Sequence, residues 1–265
     1  MPEAEIGVFG GSGFYEWFGS GESITVSTPY GPPSGPITIA DVAGRRVAFM
    51  ARHGARHRIP PHLVNYRANV DAMHQLGVRR IIAPSAVGSL KTELRPGDLV
   101  IADQFIDRTH GRADTYFPGP EVVHVSAADP YCPQMRALAA TVAGEQRLRF
   151  QPHGTVVVVQ GPRFSSRAES RWYAGMGWDI IGMTQYPEVI LARERELCYM
   201  NLSLVTDYDA GLEGAPEVGP VQAQDVMTVL AQNVARLREL LSALIPRIPQ
   251  TPSCDCQSAL AAARV

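Results

Sequence analysis

Residues 197–209, LCYMNLSLVTDYD, decide the fold of this 265-residue chain. Up to Val205 the stretch is a short apolar run without helical spacing, which predicts a buried strand. It then breaks into Thr206-Asp207-Tyr208-Asp209, and the Gly- and Pro-rich segment that follows cannot continue a strand. Because ligands collect beyond the carboxyl ends of strands in open α/β sheets, Asp207 and Asp209 are candidate site residues. Aspartate is equally typical of ordinary loops and caps.

Other predicted strands also end in loops with polar or glycine residues. Backbone N–H groups, hydroxyls and the planar guanidinium of arginine are donors that suit an anion. The dinucleotide fingerprint and the P-loop lysine are both missing, so tight turns and surface pairs remain alternatives for each loop. The residues concerned follow strands predicted at 6–9, 46–51, 78–83, 154–159 and 179–181: Ser12; Arg52 and His53; Ser85 and Ala86; Phe164 and Ser165; Met183 and Thr184.

Helical patterns alternate with these strands. They cover residues 61–76, 133–146, 167–176, a segment opened by Pro187, and an amphipathic stretch at 222–245. The alternation predicts one α/β domain, a mixed β-sheet flanked by helices, over residues 1–249. Residues 109–131 form a predicted long loop, and residues 250–265 a loose C-terminal tail.

Composition excludes several classes of function. Hydrophobic residues make up 45% of the chain and charged residues 19%, so a large core can form. The net charge of −2 and the lack of a basic stripe argue against nucleic acid as a partner. No run approaches the roughly 20 apolar residues of a membrane span, and the acidic start is unlike a secretory leader. We therefore expect a cytoplasmic protein without a membrane partner.

The four cysteines lack the paired C-x-x-C spacing that is typical of zinc sites, so no metal site is predicted. Cys132 and Cys198 lie in apolar surroundings and are expected to be small core residues. Cys254 and Cys256 lie in the tail, where a redox or disulfide role is left open.

Long motifs resemble those of the trimeric class of purine nucleoside phosphorylases. They include GVFGGSGFY, ARHGARH, VNYRAN, QGPRFSSRAES, GMTQYPEVILARE and TDYD, and the resemblance runs from Gly7 to Ile245. It implies a nucleoside phosphorylase-like fold, a homotrimer, and phosphorolysis of 5′-methylthioadenosine to adenine and 5-methylthioribose 1-phosphate. Inorganic phosphate would be the co-substrate, with no cofactor. Alternatives are a phosphorylase of 6-oxopurine nucleosides (methylthioinosine, inosine or guanosine) and a nucleoside-binding protein without catalysis.

The same resemblance implies a role for each site residue. Phosphate would be bound by Ser12, Arg52, His53, Ser85, Ala86 and Thr184. The nucleoside would contact Phe164, Ser165, Met183, Ala223 and Met227, and His124 would reach a neighbouring subunit's 5′ end. Asp207 would donate a proton to purine N7, with Asp209 supporting it. In archaeal members of the family, cysteines placed like Cys254 and Cys256 form disulfides.

Overall fold

The computed structural model describes residues 3–10, 21–212 and 219–265. Ser12 lies outside these residues, so its predicted contact with phosphate stays a prediction. The described residues form eleven strands and five α-helices. The strands are β1 (Ile6–Gly10), β2 (Glu22–Ile24), β3 (Ile37–Val42), β4 (Arg45–Ala51), β5 (Arg80–Ser89), β6 (Leu99–Val100), β7 (Gln104–Arg108), β8 (Phe150–Gln151), β9 (Thr155–Val159), β10 (Ile180–Gly182) and β11 (Cys198–Asp207). The helices are α1 (Tyr66–Gln75), α2 (Pro133–Glu145), α3 (Arg167–Gly175), α4 (Gln185–Glu194) and α5 (Ala223–Leu244).

The strands form one mixed sheet with β5 at its centre. Its main order is β2-β3-β4-β1-β5-β10-β9-β7, and β11, β6 and β8 branch from β5. β5 pairs in parallel with β1 at residues 80–82, antiparallel with β10 at residues 88–89, and in parallel with β11 along most of its length. On one edge of β5, residues 83–87 therefore lie between the residues that pair with β1 and those that pair with β10. The gap between those two strands opens the sheet at the carboxyl end of its central strand, as the sequence analysis expected for a site.

Both faces of the sheet are covered by helices. Alternation along β1 directs Ile6 and Val8 toward the core that contains α2 and α5, and Phe9 toward the core that contains α1 and α4. A sheet buried on both faces explains why its strands are nearly continuous apolar runs. The predicted class, a mixed sheet flanked by helices, is confirmed.

Two predicted boundaries were wrong. The helix predicted at residues 61–76 is a short turn at Pro61–Leu63 followed by α1, which begins at Tyr66 because the Asn65 side chain accepts a hydrogen bond from the Ala68 N–H. Residues 84–89, expected as a loop, continue β5 through Pro84. Pairing with β11 overrides the turn signal of the proline.

The tail is not loose as predicted, since residues 250–265 pack against the body. The Arg80 guanidinium donates to the Gln250 carbonyl at 2.7 Å, and the His124 N–H donates to the Ala263 carbonyl at 2.8 Å. The isolated bridge between Val123 and Arg264 joins the tail to the long loop. The domain boundary near residue 249 is not tested by these contacts. Within the described ranges, no helix combines the length and apolarity that crossing a membrane requires.

The carboxyl half of α5 should carry much of the stability. Leu241 is fully buried, whereas Leu63 is 65% exposed. Leu241→Ala is expected to lower the free energy of unfolding by about 2–5 kcal/mol because it leaves a cavity. Leu63→Ala is the matched control and should change it little. Equal losses for the two variants in urea denaturation would contradict this account of the core.

Candidate active site

A cavity of about 570 Å³ lies at the carboxyl ends of β5 and β11, where the sheet opens. Twelve of the fourteen residues predicted from the sequence line it: Arg52, His53, Ser85, Ala86, Phe164, Ser165, Met183, Thr184, Asp207, Asp209, Ala223 and Met227. These residues come from six separate segments of the chain. The fold therefore brings together nearly the whole predicted set.

Asp207 is held against the backbone of β5. Its Oδ1 accepts the Asp209 N–H at 2.8 Å and its Oδ2 accepts the Thr206 hydroxyl at 2.7 Å. The carboxylate fits because residue 88 is glycine: a Cβ there would lie 2.8 Å from Asp207 Oδ1. Burial raises the pKa of Asp207 above its usual value, and the two hydrogen bonds only partly oppose that shift. Asp207 is thus protonated more readily than an exposed aspartate.

Asp209 turns the chain out of β11 and is itself buried. Its φ of 52° is left-handed, a conformation that aspartate tolerates better than most residues. Burial raises the pKa of this carboxyl, while the hydroxyl groups of Ser170 and Ser165 oppose the shift. Asp209 Oδ2 and Ser165 Oγ are nevertheless buried without a regular hydrogen bond in the described part of the chain. Buried polar atoms of this kind are expected to find partners, so both are suited to contact a bound ligand.

Arg52 forms an ion pair that sequence reasoning missed. Its Nε and Nη2 donate to the two carboxylate oxygens of Glu188 at 2.7 and 2.9 Å, and its Nη1 donates to the Pro84 carbonyl at 3.2 Å. Burial disfavours the charge, but Glu188 raises the pKa of Arg52, so the guanidinium stays charged. The sequence predicted that Arg52 binds an anion, but Glu188 already occupies the edge of the guanidinium formed by Nε and Nη2. One N–H on each of Nη1 and Nη2 remains for a ligand.

His53 does not offer the second donor that the sequence analysis expected. Its Nδ1 lies 2.9 Å from the Ile59 carbonyl, which can only accept, so Nδ1 carries the proton. Burial, reinforced by Arg52, lowers the pKa of His53 to about 4. Near neutral pH the ring is therefore neutral, and its Nε2 is an acceptor. Such a group suits a ligand that carries a hydroxyl, including the P–OH of a protonated phosphate.

Ser85 is oriented by a chain of buried polar groups. Asn201 Nδ2 donates to its hydroxyl at 3.0 Å, and Ser203 Oγ lies 3.3 Å away. Ser203 donates in turn to Asn201 Oδ1 and receives a hydrogen bond from Gln185. Since Asn201 donates to Ser85 and Ser203 gives its one proton to Asn201, the Ser85 hydroxyl can donate either to Ser203 Oγ or to a ligand. Asn201 and Ser203 interrupt an otherwise apolar strand, and this interruption is the sequence signal for the network.

Thr184 and Met183 lie between β10 and α4. Thr184 precedes α4 without capping it by its side chain, which leaves the hydroxyl available toward the cavity. The Met183 carbonyl accepts a hydrogen bond from Arg112 at 2.9 Å, and the same guanidinium donates to the Gln160 carbonyl at 2.8 Å. Arg112 lies in the predicted long loop and was not singled out. It fixes two segments of the cavity wall from behind.

Apolar residues surround the opening of the cavity. Phe164 is 38% exposed and Met227 44% exposed, and Ala223 lies one turn before Met227 at the start of α5. This placement suits a flat aromatic ligand and an apolar substituent. His124, by contrast, is exposed and does not line the cavity. Its predicted contact requires a neighbouring subunit and stays a prediction.

Comparison with known proteins decides the family. The family model of the phosphorylase superfamily matches residues 5–246. The S-methyl-5′-thioadenosine phosphorylase of Thermofilum pendens is 49% identical, over 98% of each chain. A purine nucleoside phosphorylase of Streptomyces coelicolor is also 49% identical, over 96% of this chain and 92% of its own. The solved structure of methylthioadenosine phosphorylase from Schistosoma mansoni in complex with adenine has a TM-score of 0.91 at 32% identity and covers 98% of this chain and 99% of its own.

The chain belongs to the phosphorylase superfamily. The resemblance stated from the motifs is therefore confirmed at the level of family and fold. The two relatives of equal identity carry different substrate names, so overall similarity does not choose the base. Which base is used must therefore be argued from individual side chains in the cavity.

Gly88 should be required for activity because of its contact with Asp207. In Gly88→Ala the new Cβ would displace a carboxylate that two hydrogen bonds hold in place, and a displacement of about 1 Å can cost roughly 10²-fold in rate. We expect such a loss of phosphorolytic activity toward purine nucleosides in steady-state assays. Gly35→Ala is the control, since its Cβ would meet nothing within 4 Å. Full activity in Gly88→Ala would show that Asp207 need not keep this position.

Glu188→Gln should remove the ion pair with Arg52 and leave the buried guanidinium without its anionic partner. Breaking a buried ion pair in this way costs about 3–5 kcal/mol of unfolding free energy, and we expect the KM for phosphate to rise as well. The control is Glu169→Gln, in the exposed pair between Arg163 and Glu169, which should change stability little. A variant Glu188→Gln with unchanged stability and unchanged KM would contradict the role of the pair.

Proposed function

We propose that this chain catalyses phosphorolysis of 5′-methylthioadenosine, releasing adenine and 5-methylthioribose 1-phosphate. The observation that carries the proposal is Asp207, a buried carboxyl with a raised pKa at the end of a cavity that also contains Arg52. The names of the relatives from Thermofilum pendens and Schistosoma mansoni support the choice of substrate.

The reaction joins a phosphate oxygen to C1′ of the sugar while the bond from C1′ to purine N9 breaks. The bonding electron pair leaves with the base, and protonation at N7 stabilises that departure. Phosphate is the nucleophile, so the protein needs no covalent nucleophile and no cofactor. Its task is to fix an anion beside a sugar that develops positive charge and to supply a proton to the base.

Two positions along β5 separate these tasks. Arg52 contacts β5 at Pro84, whereas Asp207 contacts it at Gly88, four residues further along. At about 3.3 Å per residue the two positions are roughly 13 Å apart, which leaves room for a sugar between the anion and the base. We assign phosphate to Arg52, His53, Ser85, Ala86 and Thr184, with Ser12 as a further expected contact.

Asp207 also explains the choice of adenine. Adenine presents an acceptor at N7 beside a donor at N6, and a protonated carboxyl both donates and accepts. Phe164 would stack on the ring, with Ser165 near its edge and Asp209 Oδ2 free to accept from the 6-amino group. Hypoxanthine and guanine present two acceptors, so an aspartate here leaves a buried group unpaired at a cost of about 1–3 kcal/mol.

The opposite end of the substrate meets the start of α5. Ala223 and Met227 provide an apolar surface for the methylthio group, with Met183 against the ribose. We further propose that the enzyme is a cytoplasmic homotrimer in which His124 closes the 5′ end of a neighbouring site. Phosphate binding and the trimer rest on the family resemblance.

Asp207→Asn should reverse the base preference. Loss of the proton donor is expected to lower turnover of methylthioadenosine by roughly 10²- to 10⁴-fold, while inosine and methylthioinosine gain some activity because an amide donates to a 6-oxo group. The measurement is a panel of methylthioadenosine, adenosine, methylthioinosine and inosine at saturating phosphate.

Asp129→Asn, at an exposed position outside the cavity, is the control for that panel. Unchanged turnover of methylthioadenosine in Asp207→Asn would refute the assignment. Preference of the unaltered protein for inosine would favour a 6-oxopurine phosphorylase instead. Nucleoside binding without phosphate-dependent release of base would favour a non-catalytic binding protein.

A further inference from the structure

The four cysteines lie close together beside the starts of α2 and β11, although they are far apart in the sequence. Cys132 directly precedes α2, Cys198 is the first residue of β11, and Cys254 and Cys256 lie in the tail. All four are free thiols, and their sulfur atoms lie within 4.8 Å of one another. The spacing of the cysteines along the chain does not predict this cluster, because the paired C-x-x-C pattern is absent. The fold assembles the set from three segments.

The distances between the sulfur atoms match a tetrahedral metal site. Cys254 Sγ lies 3.6 Å from Cys132 Sγ and 3.5 Å from Cys198 Sγ. Four thiolates about 2.3 Å from a central Zn²⁺ have an edge between sulfur atoms of about 3.8 Å. A disulfide joins sulfur atoms at about 2 Å and uses each only once. Cys254 is nearly equidistant from two partners, an arrangement that one shared metal ion explains better than one disulfide.

The cluster is shielded from solvent. Cys132 and Cys198 are fully buried and Cys256 is 6% exposed. Their sulfur atoms and that of Cys254 lie within 4.8 Å of one another. Several buried thiolates without a cation would repel one another, so a divalent ion would complete the cluster.

Neighbouring hydrogen bonds place the tail cysteines independently of any metal. Gln134, at the start of α2, donates from Nε2 to Ser253 Oγ at 2.7 Å and accepts the Ser253 N–H at 3.2 Å. Glu196, just before β11, accepts the Leu260 N–H at 3.2 Å. The tail is therefore fixed on both sides of Cys254 and Cys256, which presents their sulfur atoms to Cys132 and Cys198.

We propose that Cys132, Cys198, Cys254 and Cys256 form a tetrathiolate site for Zn²⁺ that fastens the C-terminal tail to α2 and β11. Four soft sulfur ligands in a closed tetrahedron are the donor set of a structural zinc site. None of the four lines the cavity. The site is thus separate from the proposed chemistry, and its role would be to stabilise the fold.

The test uses the full chain, produced with added zinc and purified under reducing conditions. We expect one zinc ion per chain by elemental analysis. Replacement by Co²⁺ should give the intense visible bands of a tetrahedral site and an ultraviolet charge-transfer band from thiolate to metal. The double variant Cys254→Ser with Cys256→Ser should lose the zinc and melt at a lower temperature. Gln257→Ala, exposed beside Cys256, is the matched control and should keep both.

Two outcomes would overturn the proposal. One is a protein that, when purified in parallel without reductant, contains no zinc and has four cysteines that resist alkylation until a reductant is added, which would show two disulfides. The other is a protein with four reactive thiols that takes up neither Zn²⁺ nor Co²⁺. The cobalt spectrum is recorded on the unaltered chain, so it decides the question even if the double variant does not fold.

Discussion

The three-way pairing of β5 is the constraint on which the rest of the structure depends. β11 follows β5 along most of its length, while β1 and β10 pair only with its two ends on the other edge. The gap between them exposes residues 83–87, and it is here that the cavity forms. Because β5 and β11 remain paired up to Gly88 and Asp207, the acid is fixed relative to the opening. The pairing of β5 with β11 therefore positions both the cavity and Asp207.

Burial then determines the charge of each group in that space. Arg52 remains charged because Glu188 lies against it and offsets the cost of burial. His53 is neutral because burial and the charge of Arg52 lower its pKa to about 4, although its hydrogen bond to the Ile59 carbonyl opposes that shift. Among the described residues no cation is in direct contact with Asp207, and burial raises its pKa. The cavity thus combines the cation of Arg52, the neutral acceptor of His53 and the acids Asp207 and Asp209. A dianionic or monoanionic phosphate and a basic purine nitrogen are complementary to this set.

Sequence patterns predicted the strands well because the sheet is buried on both faces and its strands are continuous apolar runs. They also predicted which loops carry the site, since polar residues follow those runs. The partners of these residues were harder to find. Glu188 contacts Arg52 across 136 residues of the chain, and Arg112 contacts Met183 across 71. No local periodicity encodes such a pairing.

The remaining errors have the same origin. Pro84 is a local signal for a turn, but pairing with β11 carries the strand through it. The tail has the composition of a loose segment, yet hydrogen bonds from Arg80 and Gln134 hold it in place. The cysteines were judged by their spacing along the chain, whereas their sulfur atoms meet only after folding. In each case a contact between distant segments outweighs the local preference.

The choice of base illustrates how few atoms separate members of this superfamily. Relatives that share 49% identity with this chain carry the names of two substrate classes, so the scaffold and the phosphate end do not determine the base. A single unpaired hydrogen-bonding group costs about 1–3 kcal/mol, which corresponds to a discrimination of roughly 5- to 150-fold. In the proposed assignment, protonation of Asp207 changes one such group from acceptor to donor without changing its shape. Burial raises the pKa of this carboxyl, so under the same proposal the packing around Gly88 and Thr206 contributes to specificity together with the contacts to the base.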